Sequence, residues 1–193
     1  MGMTLVTAPT AEPVSVIEMK DHLRIEIDET AEDAILAKWI KAARLMVEAI
    51  NARRLITQTW DCVLDRWPSG SVMKLPYPPL QSVTHVKYTD TAGTESTWSS
   101  DDYIVDTDAC PGRIGLAYGE IWPTTTLRPI AGIAVRFVCG YGDAADVPEH
   151  LVQAVKLVVA HMYENREITD LKDHFELPYG ASRLIEMDRI YSL

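Results

Sequence analysis

The groups that could do chemistry in this chain are its five histidines, three cysteines and 28 acidic residues. Their most suggestive arrangement is VAHMYENRE, residues 159–167, where His161, Glu164 and Glu167 stand three apart. On a helix that spacing brings them to one face or nearly so. With Glu149 or His150 they could hold a metal, and a metal-dependent hydrolase would then work through His161 and Glu164. The HExxH pattern of zinc proteases is absent. The neighbours Leu157, Val158, Val159, Ala160 and Met162 are apolar on most sides. A packing helix with a solvated charged end is the simpler reading.

Other constellations weaken on inspection. GYGDAAD, residues 140–146, lacks the third glycine and the βαβ context of a dinucleotide loop. It also lacks the terminal glutamate of a calcium loop. Asp146 as a cap and Pro148 in the first helical turn make it a strand-to-helix turn instead. Cys139, His161 and Asp143 could be drawn together as a nucleophilic set, yet nothing local singles out that trio. LPYPPLQSV, residues 75–83, cannot donate backbone hydrogen bonds at its prolines and reads as a rigid crossing or strand edge. No catalytic, cofactor-binding or metal-ligating residue is assigned.

The elements follow from periodicity. Ser15 and Glu18 form a capping box that starts a helix over residues 15–24. Thr30, Glu32 and Asp33 start a second, over 30–53. In it Ile35, Trp39, Ala42, Met46 and Ile50 recur at helical spacing beside Leu36, Ile40, Ala43 and Val47, with Lys38, Lys41, Arg44 and Glu48 opposite. From Ile56 the sequence turns to β-branched and aromatic residues. In SVTHVKYTD, Val83, His85, Lys87 and Thr89 alternate with Thr84, Val86 and Tyr88. Further strands are expected near 95–98, 102–106, 113–117 and 132–139, then helices over 148–166 and 180–191. The expected fold is α+β and mainly a helical bundle, residues 15–54 and 146–193. A small antiparallel β unit is inserted at 55–145, and a flexible arm of residues 1–14 precedes both.

Composition narrows the function. A net charge of −10 argues against a reader of duplex DNA, which needs a basic patch to neutralise phosphates. The cysteines, with no CxxC, fit free thiols in a reducing compartment. The N-terminus lacks a signal-peptide pattern, and HLVQAVKLVVAHMY is too short and too interrupted to span a bilayer. Synthesis in the cytoplasm, without membrane association, is expected.

Taken in order, PVSVIEMKDHLRI, ITQTWDCVLDRWP, LPYPPLQSVTHVKYTD, YIVDTDACPGRI, VRFVCGYGDAADVPEHLVQAVKLVVAHMYENRE and LPYGASRLI resemble the head–tail connector (adaptor) proteins of tailed bacteriophages and gene transfer agents. The resemblance covers about residues 13–186 and is weakest over the final EMDRIYSL. It implies a structural protein without enzymatic activity, located at the head–tail junction of a particle assembled in the bacterial host. The implied partners are the portal, a tail-side stopper protein and further copies of the chain. Such copies assemble as a ring, usually dodecameric, though the chain in isolation could be a monomer. DNA would pass through the lumen during packaging and ejection without specific binding. By the same analogy the C-terminal segment engages the portal, through Leu184, Ile185, Met187, Ile190 and Tyr191. Glu164, Arg166 and Glu167 are candidates for a subunit interface. A peptide- or glycan-binding module built on the β unit is the further alternative.

Overall fold

The computed structural model describes residues 1–165 and 179–189; Arg166, Glu167, Ile190 and Tyr191 lie outside the described residues. The chain divides into two compact units, one of residues 1–9 and 57–141, the other of 10–56 and 142–193.

The first unit holds eight strands: β1 (Gly2–Thr7), β2 (Gln58–Leu64), β3 (Val72–Lys74), β4 (Leu80–Thr89), β5 (Glu95–Trp98), β6 (Tyr103–Asp106), β7 (Arg113–Leu116) and β8 (Ile133–Cys139). They form a five-stranded sheet, β1-β2-β8-β4-β5, and a three-stranded sheet, β3-β7-β6, with antiparallel neighbours throughout. Central β8 alternates with period two: Ile133, Val135, Phe137 and Cys139 are buried, while Ala134, Arg136 and Val138 are half-buried on the other face. Its buried face joins Cys62 and Val86 to Met73, Tyr103 and Ile114 of the smaller sheet in one apolar core. In β4 the alternation breaks twice, the first time between Leu80 and Ser82. A register shift between Val83 and His85 turns Val83 to the core side with Val86, while His85 and Lys87 keep to the outer face.

The second unit holds α1 (Val16–Leu23), α2 (Asp33–Asn51), α3 (Glu149–Glu164) and α4 (Tyr179–Glu186). The capping box at the start of α1 is formed: the Glu18 amide donates to Ser15 Oγ at 3.1 Å, and the Ser15 amide donates to Glu18 Oε2 at 2.8 Å. Helix α2 begins at Asp33 rather than Thr30, with Glu32 at the cap, and Asp33 pairs with the buried Lys20 of α1. The core side of α2 is the row Leu36, Ile40, Ala43 and Val47.

Three expectations change. Four helices and eight strands among the described residues make this a mixed α+β chain, not mainly a helical bundle. The strand-rich unit has two sheets and a core of its own, and short strands carry too little periodicity to signal that weight. Residues 1–14, expected as a flexible arm, supply edge strand β1, the buried Val14 and the Glu12 partner of Arg44. Their order depends on partners distant in sequence. Finally, Arg44 and Glu48, expected on the solvent side of α2, are 3% and 2% exposed.

Candidate functional site

At the C-terminal end, α4 carries an inward pair, Ala181 and Ile185, one helical turn apart and fully buried. The helix packs on α3 and α2. Beyond it the chain is clipped at Asp188. Arg53, just past α2, donates from Nε to the Asp188 carbonyl at 2.8 Å, and Asp188 Oδ2 stands 2.9 Å from His150 Nε2 in the first turn of α3. Three segments distant in sequence thereby fix one end of α4. Its outer side is an open, shallow surface formed by Gly180, Arg183, Leu184, Glu186 and Met187. Arg183 lies over the Tyr179 ring, 5.9 Å from its centre, and reaches Glu186 at 3.3 Å. Tyr179 and Met187 are 79% and 70% exposed.

The residues named from sequence separate accordingly. Met187 is exposed, Leu184 half-buried and Ile185 buried; Ile190 and Tyr191 lie outside the described residues. Glu164 is exposed at the end of α3, and Arg166 and Glu167 again lie outside. His161 sits in the last turn of α3, where Asn165 Nδ2 donates to its carbonyl at 3.0 Å and stands 3.2 Å from its Nδ1. Among the described residues no group of three or more His, Cys, Asp or Glu could hold a metal.

GYGDAAD is the tight entry to α3. Gly142 has φ +143°, and a Cβ there would meet Asp146 Oδ2 at 2.2 Å. That carboxylate accepts the Asp143 amide at 2.9 Å, closing a capping box around the short turn Ala144–Asp146.

A second polar cluster, unnamed by the sequence, lies on the outer face of the five-stranded sheet. Arg136 donates to both carboxylate oxygens of Asp61 at 2.8 Å, and His85 is the register neighbour of Arg136 on β4. The Arg136 hydrogen bonds hold the Asp61 carboxyl below its ordinary range. Burial, then the Lys87 and Arg136 charges, lower His85. Lys87 and Glu95 pair across β4 and β5 at 2.6 Å. This is a row of satisfied cross-strand pairs, and its only sequence signal is alternation along each strand. Burial pushes the Cys62 thiol up to about 11, which makes it a poor nucleophile. Trp67 and Trp122 stack at 5.1 Å, with Trp98 edge-on to Trp67 and tilted against Trp122, so these rings pack on one another.

No protein-family model and no curated protein matches the chain. Solved structures do. A chain described as the neck of an empty gene transfer agent (GTA) particle computed with C6 symmetry is 30% identical, with a TM-score of 0.84 over 100% of this chain and 97% of that one. A chain from the virion of a native GTA particle is 29% identical with a TM-score of 0.83, at the same coverage. A chain described as the neck of a native GTA particle computed with C12 symmetry is 29% identical with a TM-score of 0.81, again over 100% and 97%. With similarity of sequence and fold over the full length, the chain belongs to the structural neck proteins of gene transfer agent particles, which sit at the head–tail junction.

Proposed function

We propose that the chain is a head–tail adaptor: a subunit that forms a ring beneath the portal, extends the DNA channel and receives the tail-side protein. The observation that carries this is the full-length match to a neck chain, with related chains in particles computed with C6 and C12 symmetry. Rotational symmetry of that kind is what a ring of identical subunits produces. Net charge supports the channel role. A chain at −10 repels phosphates, so DNA can slide past a wall of such subunits without being retained.

The portal contact is the outer side of α4 and the segment after it. Exposed Met187 and half-buried Leu184 face the partner, Ile185 anchors the helix from within, and Ile190 and Tyr191 continue the contact. Glu164 at the end of α3, together with Arg166 and Glu167, contributes to the boundary between subunits. Cryo-EM of the cognate portal mixed with this chain tests the reading. A closed ring on the portal with α4 against it is expected, and a chain that enters no ring on the portal overturns it.

A further inference from the structure

We propose that the second unit docks onto another copy of itself head to tail, the Glu26–Glu29 loop of one copy seating on the outer face of α2 in the next. This inference rests on the ring reading and names the surfaces that would close the ring.

The loop is preorganised. Lys20, 2% exposed, donates from Nζ to the Ile27 carbonyl at 3.1 Å and pairs with Asp33. The Glu29 amide donates to the Glu26 carbonyl, and Glu29 Oε1 accepts the Ala31 amide, both at 3.1 Å. With its backbone so held, the loop leaves Ile27 60% exposed between the exposed carboxylates of Glu26, Asp28 and Glu29. A fixed loop pays little ordering entropy on docking.

The receiving face has the complementary character. Ile35 and Leu45 are 39% and 50% exposed. Along the same side of the helix run exposed Lys38, Lys41 and Ala42. The stripe is about 15 Å long at the rise of an α-helix. Neither lysine has an ion pair among the described residues. An isoleucine flanked by carboxylates thus has an apolar helix stripe carrying two lysine cations to meet. Because loop and stripe are different patches of one chain, the contact is heterologous, and repeated through a closing rotation it gives a ring.

Charge reversal in the full-length chain, read as incorporation into portal-templated rings, tests this. Lys38→Glu with Lys41→Glu, or Glu26→Lys with Asp28→Lys, should each lower incorporation about tenfold, since like charges then face one another. All four substitutions in one chain should restore it. Independently, Ile27→Cys with Leu45→Cys, in a Cys110→Ser background, should give a ladder of disulfide-linked copies on oxidation, as neither single cysteine does. Undiminished incorporation of both reversed variants overturns the proposal, as do Ile27–Ile27 dimers or capture of Leu45→Cys by a different particle protein. Wild-type chain that forms no ring overturns the adaptor reading instead, so the two failures are distinguishable.

Discussion

Asp61 and Arg136 meet through two hydrogen bonds of 2.8 Å, with His85 beside them on the open face of the sheet. Asp61 and His85 are shifted downward, Asp61 by Arg136 and His85 by burial and neighbouring cations. In each case the unfolded chain binds the proton more tightly, so stability rises with pH and is lost as the solution is acidified. For His85 the loss begins below its ordinary value of 6.5, and for Asp61 below 3.8. In urea melts across pH, His85→Gln should flatten the limb just below neutrality and Asp61→Asn the most acidic limb. At Gly142 a side chain would combine a left-handed φ with a clash at the Asp146 cap. Gly142→Ala should cost about 1–3 kcal/mol, measured by the urea midpoint. The glycine pair was legible in the sequence as a sharp turn. That Asp143 and Asp146 close it as a capping box depends on the backbone of a single turn.

Within α2 the buried charges are the informative feature. Arg44 Nε donates to Glu12 at 2.6 Å and Nη1 to Glu48 at 3.0 Å, while Glu48 Oε1 accepts the Leu55 amide at 3.0 Å. One guanidinium thereby ties the segment before α1 to the helix, and Glu48 ties the helix to the chain leaving it. Burial opposes the Arg44 charge, but the two carboxylates outweigh it and raise its pKa. Arg44→Met leaves Glu48 buried without its cation, and should cost about 3–5 kcal/mol in thermal or urea unfolding. Helical periodicity read this arginine as a surface residue because it sees spacing and not partners. The same limit explains β1, an exposed edge strand whose order comes from pairing with β2 more than fifty residues away. The central strands were legible because burial on one face imprints a period of two, as β8 displays. The register shift in β4 that turns Val83 inward leaves no such mark.

Across the whole molecule, assembly is the property that the family assignment brings forward. If the C-terminal helix makes the proposed portal contact, its two sides separate stability from docking. Ile185→Asp places a charge in the second unit's core and should lower Tm strongly, whereas Met187→Asp should leave Tm unchanged while weakening portal binding. A loss of Tm for Met187→Asp, or unimpaired portal binding, would remove it from the contact. The sequence by itself determined the long helices, the central strands, the turn at Gly142, the acidic charge and the order of segments that resembles head–tail connectors. Those features are local or summed along the chain, so spacing and composition carry them. Only the tertiary structure decided that the strands form two sheets around their own core, that the N-terminal residues are built in, and that Arg44 and Glu48 are buried. It also decided that Ile185 points inward while Met187 stands out. Each depends on partners distant in the chain, and burial is a property of where a residue ends up, which its neighbours in sequence do not specify.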